Sequence, residues 1–476
     1  MRLRIDKLFL YRHRFGIGYT LLALVFLFLL IFLPMISPDG ISTEEMESAV
    51  SSNDVTWSSV LEGDTVNLPY RLLQKASISV FGLTLYSIKI PSIIIAAVTA
   101  VLLVLLLNRW FKSNVAIIAS VITTLSSAFL FLAGFGTPAI MYLFWLTLIL
   151  WLGSKILGVA RPHPVLVSTF IVTLAVALYT PHLAYVALII AIAGIFHPHM
   201  RFTIKKFKIH HLIVCFALFA LVISPLVMSF FTNENILKQL LFNPEAFNYS
   251  DNVISAFQPF FSFGSAYESV FLSPLFGLAT VALIFVGVLA SMGKLFTSRN
   301  TVVSLLVIFS IVISGIEPYA ATIVVIPISV LVAAGLESIL EKWYSLFPEN
   351  PYARIFGLIP IAAFTGVIVI SSLSHFVFGY HYTPMVANQF NDDISIVRKN
   401  LSAGTVLLIH EDTTEYNFYK ILEKETGITV MSSVPDRADL QVATLGLWDG
   451  EIDLPLQRIV TSQKSQNSDR LYIYNN

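Results

Sequence analysis

Charge is scarce in this sequence. Only 12% of the 476 residues are Asp, Glu, Lys or Arg, 56% are hydrophobic, and the mean hydropathy is +0.79. A soluble domain carries about 25% charge, so most of this chain has lipid as its solvent. Basic and acidic residues balance at 29 each. Their distribution is therefore more informative than their sum, and nothing in it points to nucleic acid as a partner. A single cysteine, Cys215, excludes an internal disulfide and any Cys-based zinc cluster. It sits in an apolar run and reads as a packed small hydrophobe. There is no internal repeat and no low-complexity segment. The C-terminal tail lacks a phosphate-binding glycine loop, a metal-spaced His/Cys set and a nucleophile elbow.

Long apolar runs are what the chain does have. They predict eleven membrane spans, at roughly 17–36, 84–107, 115–133, 139–157, 164–180, 182–196, 212–231, 274–293, 301–316, 320–340 and 355–378. The first is too long for a signal-peptide core and reads as a retained anchor. One set of breaks holds Arg2, Arg4, Lys7, Arg12, Arg14, Arg109, Lys112, Lys155, Arg161, Arg201, Lys205, Lys206, Lys208, Lys294, Arg299, Lys342 and Arg354. The opposite set, before the tail, holds only Arg71, Lys75, Lys89 and Lys238. The positive-inside rule then predicts a multi-pass protein of the cell membrane with a cytoplasmic N-terminus. Residues 37–83 and 232–273 become long outer loops, and longer loops tend to carry function. Leu72, Leu73, Ala76, Ile78 and Val80 have helical spacing, which predicts a helix along the membrane surface in the first loop. His182, near the outer end of a span, reads as a hydrogen-bonded interfacial histidine.

The tail changes character. Thr405–His410, Ile428–Ser432, Gln457–Thr461 and Arg470–Tyr474 read as strands, and Thr414–Thr426 as a helix closed by Gly427. The expected fold class is a polytopic α-helical membrane protein of about eleven spans. Residues 1–378 would form the membrane domain, and 379–476 a small extracytoplasmic α/β domain that stabilises the assembly or contacts an acceptor.

Just past the first span lies an acidic cluster, Asp39-Gly-Ile-Ser-Thr-Glu44-Glu45-Met-Glu47. Glu44 and Glu47 are i,i+3 neighbours on a helical turn that Ser42 or Thr43 would cap. A carboxylate held at the membrane surface can act as general base on a hydroxyl. Arg71, Lys75 and Lys89 are the only cations of that loop and its exit, and a cation there can hold a phosphate or snorkel to headgroups. Clustered carboxylates also suit a divalent metal such as Mg2+ or Mn2+, although no spacing requires one and no cofactor is implied.

The stretch from Val66 to Ser92 resembles a recurrent segment of the GT-C glycosyltransferases. These polyprenyl-phosphate-sugar-dependent enzymes include protein O-mannosyltransferases and the aminoarabinose transferases acting on lipid A. Their segment runs His-Pro-Pro-Leu-Tyr-Tyr, Phe-Gly, six residues, then Arg-Leu-Pro-Ser at the start of a span. Here Pro69, Phe81-Gly82 and Lys89-Ile-Pro91-Ser92 keep that spacing, while Asn67, Leu68 and Lys89 replace the His, the first Pro and the Arg. The family's Asp-Glu pair after the first span falls on Glu44 and Glu45, with Asp39 as the fallback if the loop register shifts. The resemblance implies a GT-C-like fold, a polyprenyl-phosphate sugar donor and a lipid, glycan or protein acceptor at the cell envelope. It also implies an inverting transfer with Glu44 as base and Glu45 as second carboxylate. Arg71 and Lys89 would contact the donor phosphate, argued from their charge and location. The turn Gly136-Thr-Pro-Ala139 lacks the Asp that the family often carries there, and Glu317-Pro-Tyr319 lacks its Arg. These departures leave two alternatives: a catalytically degenerate scaffold, or a lipid or solute transporter. The spans carry almost no internal charge, which disfavours a transporter.

Overall fold

The computed structural model describes residues 14–159, 162–233, 235–241, 249–261, 272–293, 296–315, 318–346, 351–411, 413–434, 441–446, 448, 450, 452–461 and 470–475. Much of the expected second outer loop lies outside the described residues, as do Glu317, Arg161, Lys294 and the basic residues before Arg14.

Helices α1 (Arg14–Ile36), α2 (Thr43–Asn53), α3 (Trp57–Leu61), α4 (Leu68–Phe81) and α5 (Leu85–Trp110) open the chain. They are followed by α6 (Ser113–Thr124), α7 (Ser127–Gly134), α8 (Ile140–Leu157), α9 (Pro164–Ala177), α10 (Leu183–Phe196), α11 (Pro198–Ile204), α12 (Ile209–Thr232), α13 (Asn235–Leu241) and α14 (Tyr249–Phe261). Then come α15 (Leu278–Met292), α16 (Ser298–Ser314), α17 (Val325–Leu346) after a short 3-10 turn, and α18 (Pro351–Tyr382). All eleven expected spans fall on apolar helices. Among the described residues, five helical stretches are individually long and apolar enough to cross a bilayer, seven if each bent pair counts as one span. The bent pairs are α6/α7, broken by 60° where Ser126 starts a new cap, and α10/α11, turned by 92°. The first loop holds the expected capped turn, extended into α2, the expected surface helix α4, and the short α3 between them. Helix α18 runs through Tyr382, past the expected start of the tail.

The C-terminal part adds α19 (Pro384–Ala387), α20 (Asp393–Asn400), β1 (Val406–Leu408), α21 (Thr414–Thr426), β2 (Thr429–Met431), β3 (Val442–Leu445), β4 (Leu456–Thr461) and β5 (Arg470–Tyr474). The sheet order is β2-β1-β3-β5-β4, with β1 parallel to β2 and β3, and β5 antiparallel to β3 and β4. Helix α21 ends on Gly427 at φ +73°, the left-handed cap expected of a glycine there. Strand β3 was not among the expected strands. Its four residues are all buried, so it shows no alternation.

The C-terminal sheet is not a separate globule. One apolar core joins Ile41, Met46 and Ala49 of the first loop, Ile78, Leu83 and Ile88 around the α4–α5 corner, and Phe418, Leu422 and Ile473 of the tail. The Phe81-Gly82 corner has a physical reason. Gly82 sits at φ +71°, and an added Cβ would come 2.9 Å from Glu425 Oε2. The Glu425 carboxylate accepts from the Leu83 N–H at 2.9 Å, and Arg398 binds both Glu425 and the Leu83 carbonyl.

Candidate active site

The loop leaving α1 is zipped to the entrance of the C-terminal part. The Ile41 N–H donates to the Asn391 carbonyl at 2.7 Å, and the Asn391 N–H donates back to Ile41 at 3.0 Å. Gly40, at φ +101°, allows this approach, because any Cβ there would collide with the Asn391 carbonyl. Ser42 then caps α2. Its hydroxyl accepts from the Glu45 N–H at 3.3 Å while its own N–H donates to Glu45 Oε2 at 3.0 Å, a complete capping box.

Glu45 is wholly buried, and its second oxygen, Oε1, accepts from the Gly136 N–H at 2.6 Å. Burying a carboxylate is costly unless its charge is met by donors or a partner. Here two backbone N–H groups meet it, with Lys89 nearby. The same Gly136 peptide is held from its other side. Gln74 Nε2 donates to the Gly136 carbonyl at 2.8 Å and to the Ile88 carbonyl at 3.2 Å. Its Oε1 accepts from the Ser48 and Ser52 hydroxyls at 2.8 and 2.7 Å. All four hydrogen-bonding positions of this buried amide are therefore used. Helices α2, α4 and α5 and the 135–139 turn are locked together by Glu45 and Gln74. Beside them the Tyr70 hydroxyl bonds Ser92 at 2.8 Å. Burial pushes the Tyr70 phenol above its ordinary value, against the Ser92 bond and with help from the Glu45 charge.

The other expected site residues are placed as follows. Glu44 lies half-buried on the first turn of α2, and Asp39 is exposed on the loop before it. Lys89 is 1% exposed; its ammonium donates to the Pro38 carbonyl at 2.9 Å, in the field of Glu45, Asp39 and Asp392. Arg71 is also buried. Its guanidinium grips the Asp64 carboxylate with two prongs and the Ser51 carbonyl at the end of α2. Lys75 donates to the Asn53 and Val55 carbonyls. The loop cations thus bind the protein's own oxygens here. Among the described residues no group of three or more His, Cys, Asp or Glu side chains is arranged to hold a metal ion. The cation near Glu45, Asp39 and Asp392 is the Lys89 ammonium. The expectation for His182 is corrected: it is buried, neither ring nitrogen has a hydrogen-bond partner among the described residues, and it stacks on Tyr185.

The tail contributes a second wall. A hollow of about 310 Å3 opens at the carboxyl ends of β1 and β3, lined by Leu408, His410, Glu415, Trp448 and, from α2, Thr43. The chain leaves β1 toward β2 and β3 toward the β5-β4 side, which opens a crevice of this kind in α/β sheets. His410 stacks on Trp448 at 4.6 Å. Thr414 donates to Glu47 at 3.3 Å, tying the hollow to the helix that bears Glu44. Neither Gln74 nor this hollow was identified from the sequence; both depend on pairings between distant segments.

This architecture can be set beside known proteins. Residues 69–228 match the family model described as dolichyl-phosphate-mannose-protein mannosyltransferase. Among the curated proteins no sequence matches. Among solved structures, ArnT from Cupriavidus metallidurans bound to undecaprenyl phosphate aligns over 97% of this chain and 98% of its own, with TM-score 0.55 and 12% identity. The Archaeoglobus fulgidus oligosaccharyltransferase tethered to an acceptor peptide aligns over 88% of this chain and 64% of its own, with TM-score 0.52 and 10% identity. The same organism's AglB, in complex with an inhibitory peptide and a dolichol-phosphate, gives TM-score 0.51 at 12% identity, covering 86% of this chain and 60% of its own. The chain has the GT-C fold, as its resemblance to that superfamily implied, and it is a multi-pass membrane protein with a small C-terminal sheet domain.

Two measurements check this geometry. A Cβ on Gly136 would lie 2.7 Å from Ile88 Cγ2 and 3.0 Å from Glu45 Oε1. Gly136→Ala should therefore cost about 1–3 kcal/mol, read as a lower Tm of the detergent-solubilised protein; an unchanged Tm would contradict the clamp. Burial raises the Glu415 carboxyl above its ordinary range. The folded state then holds this proton more tightly than the unfolded chain does. Its contribution is most favourable below the ordinary glutamate range and declines as pH rises through the raised value. Glu415→Gln should remove that decline from the Tm-versus-pH curve, and a curve of unaltered slope would argue against it.

Proposed function

We propose that this chain is a glycosyltransferase that moves a sugar from a polyprenyl-phosphate carrier to an acceptor hydroxyl. The reaction would occur on the side of the membrane that carries the sheet domain. The excess of basic residues in the opposite set of breaks supports a cytoplasmic N-terminus and an outer position for this side. One observation carries the reading. Of the adjacent pair Glu44-Glu45, the second is buried and held by the Ser42 and Gly136 N–H groups, while the first stays half-exposed on the same rigid turn. Glu45 serves as a positioning residue and Glu44 as the general base.

The acceptor hydroxyl attacks the anomeric carbon as the Glu44 carboxylate takes its proton. The bond from that carbon to the phosphate oxygen breaks on the opposite face, and polyprenyl phosphate departs. A single displacement of this kind inverts the anomeric centre. Lys89 is the proposed phosphate contact, since an ammonium has three donors and among the described residues its hydrogen bond is to the Pro38 carbonyl. Arg71, assigned to the phosphate from its charge, is proposed instead to fix the end of α2 through Ser51 and Asp64. Asp39 remains the fallback base at the loop's exposed edge. The acceptor would approach through the crevice beside Thr43. No cofactor is needed, and a divalent cation would be an addition to this scheme.

The engaged cations favour a second reading, a GT-C scaffold that has lost turnover. Purified protein with radiolabelled polyprenyl-phosphate sugars separates the two. Glu44→Gln should lower transfer by roughly 10^2–10^4-fold without lowering Tm, whereas Glu45→Gln should lower both. Undiminished transfer in Glu44→Gln would reject the assigned base. Absence of turnover with every donor offered would favour the scaffold.

A further inference from the structure

At the far end of α5 from Lys89 lies a larger cavity, of about 500 Å3, within the range of small-molecule sites. It is enclosed by α8, α9, α10, α11 and α12, with the facing ends of α5 and α16. Its wall is hydrocarbon: Ile149, Leu150, Val167, Phe170, Ile171 and Val302 are typical of it. Three of the polar side chains in that wall are turned back on the protein. Ser154 donates to the Trp151 carbonyl and Thr203 to the His199 carbonyl, while Cys215 pairs with Ser168. A polar ligand would find no partners inside, whereas an alkyl chain would.

The rim is different. Arg109 is exposed and makes no ion pair among the described residues, and its guanidinium lies over Gly158. Arg299 is brought alongside by donating to the Trp110 carbonyl at 3.2 Å and packing on the Phe111 ring at 4.5 Å. The roof is α11, turned 92° from α10 so that it lies across the bundle end. Its Met200, Thr203 and Ile204 face the cavity. Around it stand Arg201, Lys205, Lys206 and Lys208. An in-plane helix with an apolar inner side and basic flanks is the pattern that engages anionic membrane lipid.

We infer that this cavity binds an anionic glycerophospholipid, one acyl chain in the apolar chamber and the phosphate between Arg109 and Arg299. The site is independent of the carboxylate site at the other end of α5 and does not rest on the transfer reaction. The occupant follows from the pairing of an apolar chamber with the exposed Arg109 guanidinium at its mouth, while Arg299 beside it also feels the Glu337 carboxylate.

The test uses the full chain in nanodiscs containing phosphatidylglycerol or phosphatidylcholine with the same diazirine-bearing acyl chain. Photolabelled peptides are mapped by mass spectrometry. Phosphatidylglycerol should label residues 149–157 and 167–171 at least about fivefold more than phosphatidylcholine, from a charge contact near the membrane surface. Arg109→Gln, at an exposed position, should erase most of that preference. Gly153→Trp, which fills the chamber, should abolish labelling with either lipid. Equal labelling by the two lipids would overturn the proposal, as would labelling insensitive to Arg109→Gln. So would displacement of the label by equimolar polyprenyl phosphate but not by unlabelled phosphatidylglycerol.

Discussion

The organisation of the carboxylate end depends on one buried charge. Glu45 has no exposure, and in its buried setting its carboxylate oxygens accept from the Ser42 and Gly136 N–H groups, with the Lys89 ammonium close by. Removing a donor would leave a carboxylate without compensation, which is far more costly than never having buried it. That cost is what fixes α2 against the 135–139 turn, and with α2 the position of Glu44. Gln74 repeats the device from the other side of the same peptide.

The same constraint explains why the tail folds onto the membrane domain instead of standing apart. Helix α2 buries Met46 and Ala49 in a core shared with Phe418 and Leu422, so neither face of the seam is complete alone. Polar contacts then set the register: Asn391 with Ile41, Glu425 and Arg398 with Leu83, Thr414 with Glu47. At the opposite end of α5 the balance reverses. Carboxylates are few there, arginine and lysine gather, and the interior is lined by hydrocarbon. One long helix thus separates an acidic end, built from interlocked backbone, from a basic end built around hydrocarbon.

The apolar helices were legible in the sequence because lipid forces every backbone group into helices and tolerates little charge. All eleven expected segments fall on apolar helices. Local signals also held where the physics is local, as with Ser42 before α2 and Gly427 after α21. The features that escaped are those set by distant partners. Glu45 meets Gly136 across 91 residues, and no local pattern records that. The Gly136-Thr-Pro-Ala139 turn lacks a carboxylate of its own, yet Glu45 reaches it from elsewhere in the chain. Strand β3 is short and buried throughout, so it offers neither length nor alternation. Arg71 and Lys89 were singled out for their charge, but their partners, Asp64, Ser51 and Pro38, become visible only in three dimensions.

The most direct measurement is an electron cryo-microscopy structure of the full chain in nanodiscs with undecaprenyl phosphate added. If Glu44 is the base and Lys89 the phosphate contact, the phosphate will sit beside Lys89. The Glu44 carboxylate will then face the vacant side, with Glu45 still bonded to Gly136. A phosphate seated only at the Arg109 end, or a Glu44 carboxylate turned away from the bound lipid, would contradict the proposed site.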